Sequence, residues 1–143
     1  MNIQQLNHEL KQMFDDQTNG GDFGIIKINF PLDSNLLTIF VKHYKLSDVT
    51  FKISFNDYQS YMLTKENLPD KTREQVIYAP ATQAIFLKEI VKSEYLNYLN
   101  NWTDLKIYFD DRSFEQIRQY SIITQNLIID VVTDTEPSIE ILY

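Results

Sequence analysis

Leu36-Leu37-Thr38-Ile39-Phe40-Val41-Lys42-His43-Tyr44-Lys45-Leu46, followed after Ser47-Asp48 by Val49-Thr50-Phe51-Lys52-Ile53-Ser54-Phe55, is the stretch on which the fold turns. In its second half Val49, Phe51, Ile53 and Phe55 alternate with Thr50, Lys52 and Ser54, the period of a strand with one face buried and one wet. The first half reads as a longer strand. Two residues between them predict a tight hairpin, because parallel pairing would need a crossover of roughly a dozen residues or more.

Upstream, Ile26, Ile28 and Phe30 alternate with Lys27 and Asn29 in a strand that opens near Phe23 and stops at Pro31. Before it, Ile3, Leu6, Leu10, Met13 and Phe14 recur at steps of three and four, which predicts an amphipathic helix ended by Gly20-Gly21. Downstream, a weaker stretch, Tyr61-Met62-Leu63-Thr64, leads into a polar loop, and Gln75-Val76-Ile77-Tyr78 predicts a short strand. Pro80 suits the first position of a helix, and Ala84, Leu87, Val91, Tyr95, Tyr98 and Trp102 continue a single stripe from it. Leu105, Ile107 and Phe109 predict another strand, and Ser113-Phe114-Glu115-Gln116 resembles a capping box that opens a short helix. Leu127 to Thr133 and Ser138 to Leu142, joined by Asp134-Thr135-Glu136-Pro137, read as a terminal hairpin.

These elements predict one α+β domain over residues 1–143: a mostly antiparallel sheet of six to eight strands with two main helices packed on one face. A chain of 143 residues buries roughly two thirds of its unfolded surface, enough for an independent core. It has no cysteine and three glycines, Gly20, Gly21 and Gly24. That inventory excludes thiolate chemistry, disulfides and zinc-thiolate sites, and it leaves no second glycine cluster to cradle a phosphate. Seventeen Ile, eleven Asn, nine Tyr and nine Phe beside three Ala are the residues of A/T-rich codons, which points to a low-GC bacterium or its phage. With no basic and apolar leader at Met1-Asn2-Ile3-Gln4 and no apolar run of about 20 residues, the expected location is the cytoplasm.

Charge narrows the function. Twenty acidic and thirteen basic residues give −7, a field that opposes nucleic acid, whose binding rests on Lys and Arg at phosphates. From Asp104 onward eight acids face Lys106, Arg112 and Arg118 alone. Surplus Tyr beside carboxylates is the chemistry of protein interfaces, where aromatics supply contact area and acids steer association. The expectation is therefore a small acidic protein that binds another protein with a basic surface, as an inhibitor or immunity-type factor does, without membrane, metal or cofactor. Its candidate contact residues are Tyr108, Asp110, Asp111, Tyr120, Asp130, Asp134, Glu136 and Glu140.

Two other readings compete, the first a metal-dependent or small-ligand enzyme that uses the Asp70, Asp104 and Lys106 set or His43. Pro69-Asp70 with Asp104-Leu105-Lys106 resembles the paired elements of the PD-(D/E)xK nucleases. In that family two carboxylates hold a divalent metal and the lysine stabilises the developing charge. The resemblance covers five residues, and Pro69-Asp70-Lys71-Thr72 departs from it by reading as a polar turn. His43 would serve a catalytic base only with an orienting acid and a nucleophile, and the sequence supplies neither. The remaining alternative is a structural subunit that self-associates through an exposed strand edge.

Overall fold

A computed structural model of the chain describes residues 1–46, 48–65, 77–91, 94–102 and 116–143. Among them lie α1 (Ile3–Met13), β1 (Phe23–Asn29), β2 (Leu37–His43), β3 (Thr50–Phe55), β4 (Ser60–Lys65), β5 (Tyr78–Gln83), β6 (Leu87–Ile90), α2 (Glu94–Trp102), β7 (Arg118–Ile123), β8 (Leu127–Thr133) and β9 (Ser138–Leu142). The hairpin that opened the reading forms as β2–β3, with Leu37 opposite Phe55 and Lys42 opposite Thr50. Helix α1 starts on a capping box: Asn2 Oδ1 accepts from the Gln5 N–H, and Gln5 Oε1 accepts from the Asn2 N–H, each at 2.8 Å.

The class is α+β and every pairing is antiparallel, but the strands form two sheets rather than one. Their orders are β1-β2-β3-β9 and β4-β8-β7-β6-β5. Ile39, Val41, Phe51, Ile53 and Ile139 of the first sheet share a core with Leu87, Tyr120, Ile122, Ile129 and Val131 of the second. Phe23 sits inside it, its ring against those of Phe14, His43, Phe51 and Phe86.

Three expectations about elements are corrected. Leu127–Thr133 and Ser138–Leu142 are strands, yet not a hairpin: β8 pairs with β4 and β7, while β9 crosses to the first sheet and pairs with β3. The helix expected from Pro80 begins only at Glu94. The residues before it form the β5–β6 hairpin, closed by the Ala84 N–H donating to the Leu87 carbonyl at 2.8 Å. Pro80 is tolerated there because β5 is an edge strand with irregular register and needs no full ladder of N–H donors. The stripe misled because short apolar runs such as Ile85-Phe86-Leu87 satisfy helical and buried-strand spacing alike. Third, the helices do not share a face. Ile3, Leu6 and Leu10 of α1 enter the core between the sheets. Leu99 of α2 packs with Ile117 and Val132, and Val132 points away from that core because its neighbour Val131 points into it. Strand β7, which no sequence pattern announced, completes the second sheet. The predicted strand at 105–109 and the capping box at 113–116 lie outside the described residues but for Gln116. No helix among the described residues is long and apolar enough to cross a membrane.

A sheet's outer strands expose unpaired backbone groups, and three of the four here are managed. On β1, Asn126 Oδ1 accepts from the Ile25 N–H and its Nδ2 donates to the Ile25 carbonyl, both at 2.9 Å, so one side-chain amide stands in for a neighbouring strand. The Gln125 N–H adds a bond to the Phe23 carbonyl, and the register shifts between Ile25 and Lys27. On β9, the Met1 amine donates to the Ile139 carbonyl at 2.8 Å and the Ile139 N–H donates back to Met1. On β5, Pro80 and the irregular register interrupt the edge. Close by the β1 clasp, a Cβ on Gly20 would stand 2.6 Å from the Ile123 carbonyl oxygen, too near for any atom but hydrogen. Asn126→Ala is expected to cost about 1–3 kcal/mol in urea unfolding, because it orphans both backbone groups of Ile25. Gly20→Ala is expected to cost a similar amount, about 1–3 kcal/mol, through the forced backbone shift; an unchanged urea midpoint for either would contradict the clasp.

Candidate functional site

The fold separates the five candidate contact residues that lie among the described residues. Tyr108, Asp110 and Asp111 lie outside the described residues, as do Asp70, Asp104 and Lys106 of the nuclease-like pattern. Two of the remaining five are buried and are withdrawn from any exposed acidic face. Asp130 is 1% exposed and Tyr120 3%. The reason is β8, which is covered on both sides: Ile128 through Thr133 are buried without alternation, the pattern of an inner strand between two layers. Asp130 is satisfied there, its Oδ1 accepting from Ser121 Oγ at 2.8 Å and from Gln119 Nε2 at 3.0 Å. On the same outer side of the sheet, Tyr95 of α2 shares a short hydrogen bond with Ser60, and burial pushes the Tyr95 hydroxyl pKa up. The group is structural: a carboxylate tying β7 to β8 beneath a helix.

Asp134, Glu136 and Glu140 are exposed. Glu140 faces outward on β9 and pairs with Lys52 on β3 at 2.9 Å, so its charge is partly answered. Asp134 and Glu136 sit on the crossover between the sheets, and among the described residues neither has a cationic partner. Pro137, next in sequence, is buried, which fixes the crossover against the body.

Beside that crossover lies a cleft of about 140 Å³ lined by Asn2, Ile3, Gln4, Tyr120, Glu136 and Pro137. Tyr120 reaches it from the inner face of β7, with its ring 5.9 Å from that of Phe55. Among the described residues its hydroxyl has no hydrogen-bond partner, although buried polar groups are paired in the great majority of cases. Burial first, then the negative charges of Glu89 and Glu136, hold this phenol far above its ordinary pKa against the opposing pull of Arg118. It is a neutral donor at physiological pH. Glu89 is itself engaged with Arg118, Oε1 to Nε, at 3.3 Å. The cleft thus holds one neutral hydroxyl and one carboxylate that has no cationic partner among the described residues, with Gln4 and the α1-capping Asn2 also in its lining.

Sequence reasoning named Tyr120 and Glu136 but missed Asn2, Gln4 and Pro137. These residues come from opposite ends of the chain and meet because Met1 pairs with β9, a contact that no local pattern signals. A second cleft, of about 240 Å³, is lined by the Glu89–Arg118 pair together with Ile90, Leu96, Ile117 and Gln119, and its charges are compensated internally.

His43 is buried at the end of β2, its ring stacked on Phe14 at 4.2 Å. Its Nδ1 accepts from the Lys45 N–H at 3.0 Å, which places the proton of the neutral ring on Nε2. Burial, opposed by Asp22, lowers its pKa below the ordinary 6.5. No acid or nucleophile engages it among the described residues, and no three His, Asp or Glu side chains there converge as a metal-binding set.

No protein-family model matches this chain, and neither a curated protein nor a solved structure matches it.

Because the folded pKa of His43 lies below the unfolded one, the neutral ring favours folding above pH 6.5, and this contribution is lost as the pH falls through the folded value. Urea titrations of wild type and His43→Gln from pH 7.5 to 5 should show a decline in stability below pH 6.5 that the variant lacks; parallel curves would contradict the assignment.

Proposed function

We propose that this protein works by binding another protein, and that the acidic crossover of Asp134 and Glu136 with the cleft beside it receives a basic segment of that partner. The observation that carries the reading is the Tyr120 hydroxyl, buried, neutral and without a hydrogen-bond partner among the described residues, in a cleft whose one exposed charge is the unpaired Glu136. A partner lysine or arginine answers Glu136, and a backbone carbonyl beside it accepts from Tyr120. The overall charge of −7 supports the reading by favouring encounter with a basic surface. In this reading the protein is a cytoplasmic inhibitor or immunity-type factor that lays carboxylates over a basic site.

Affinity capture from lysate of the source organism, at low and high salt, tests it when wild type is run beside Asp134→Lys/Glu136→Lys and Tyr120→Phe. The expected result is a stoichiometric partner held by wild type at low salt and released at high salt. Its affinity should fall at least tenfold for the charge-reversed protein, about 1.4 kcal/mol. Recovery of the bait alone, or equal recovery by wild type and the charge-reversed protein, would overturn the proposal.

A further inference from the structure

The edge that carries no device is β4. Ser60 to Lys65 runs in unbroken register against β8, from Ser60 opposite Val132 to Lys65 opposite Leu127, and among the described residues no strand or side chain meets its other side. It contains no proline and no bulge, and its one charge stands at its end. Met62 and Leu63, at its centre, are 39% and 45% exposed. The neighbouring rim adds exposed Phe30, whose ring lies 5.9 Å from that of Tyr61. In a molecule that blocks its other three edges with an amide clasp, a paired terminus and a proline, a regular apolar edge that no described residue pairs is a template for strand addition.

We propose that β4 pairs with β4 of a second copy of this chain, antiparallel about a two-fold axis at Met62, joining two five-stranded sheets into one. The layout of charge selects a second copy. Lys65 ends the strand, and exposed Asp57 precedes its start in a left-handed turn (φ 52°) pinned by the Thr135 hydroxyl donating to the Asn56 carbonyl at 2.7 Å. Among the described residues neither Lys65 nor Asp57 has an ion-pair partner. Inverting one copy on the other sets Met62 against Met62, Tyr61 against Leu63 on the core side and Ser60 against Thr64 on the outer side. It also brings Lys65 to the end of the partner strand where Gln59 and, in the turn before it, Asp57 lie, twice by symmetry. Apolar meets apolar, opposite charges fall together, and each residue keeps its own face of the sheet because the paired positions have the same parity. Thr135 of the crossover holds the turn that carries Asp57, but the strand residues that pair lie outside both crossover and cleft, so the thiol test at Met62 stands or falls separately from the partner-binding reading.

The test uses the absence of cysteine. Met62→Cys places a single thiol on the axis, where directly opposed strand positions bring two Cα atoms within disulfide range. Oxidation with diamide should convert this variant to a covalent dimer, and leave monomeric an Asn35→Cys variant, whose thiol lies in the exposed β1–β2 loop. Light scattering of wild type should show a concentration-dependent dimer that Leu63→Lys weakens at least tenfold, with circular dichroism confirming that the variant is folded. A monomeric wild type at ~100 μM would overturn the proposal. So would a dimer in which Met62→Cys gives no disulfide, and the thiol result does not depend on how Leu63→Lys folds.

Discussion

The molecule depends on how its two sheets are held in register with each other, and that task falls to the turn between β7 and β8. Asn126 satisfies both backbone groups of Ile25, Gln125 bonds to Phe23, and Gly20 lets the chain before β1 press against the carbonyl of Ile123. Side chains in a shared apolar core attract without direction, so a core alone would permit the sheets to slide. Directional bonds at the rim remove that freedom. They act at the strand that delivers Phe23, so the aromatic cluster around it is positioned by polar contacts a few residues away.

What the sequence disclosed follows the range of the forces involved. Residues 36–55 and α1 were legible because each buries one face more deeply than the other, and alternation or a helical stripe records that asymmetry. The second sheet was hard to read because its inner strands have no wet face. Ile128-Ile129-Asp130-Val131-Val132 carries an acid in the middle of an apolar run, and the charge reads as solvent exposure until Ser121 and Gln119 are seen donating to it. The partition into two sheets was illegible for the same reason: Asp134-Thr135-Glu136-Pro137 fits a hairpin turn or a crossover equally well, and only pairing with Thr50–Ser54 decides between them.

Candidate site residues divide along the same line. Tyr120 and Asp130 are both buried polar groups on adjacent strands, and they differ in whether the fold answers them. Asp130 meets donors on the neighbouring strand, Ser121 and Gln119, which makes it a tie between β7 and β8. Tyr120 has two carboxylates nearby and, among the described residues, no hydrogen-bond partner for its hydroxyl. Composition drew attention to tyrosines and acids as classes; the distinction between a tie and an open donor belongs to three-dimensional pairing alone.

The crossing of β9 from one sheet to the other has a kinetic meaning. Its pairing of Lys52 with Glu140 and of Ile53 with Ile139 joins residues far apart in the chain, and the first sheet lacks its fourth strand until residues 138–142 are in place. Contacts so distant in sequence require closure of a long loop before they return any energy, which slows folding relative to local hairpins. During synthesis the β2–β3 hairpin would wait with the β3 edge open, and the nascent chain is most exposed to aggregation and to chaperones in that interval.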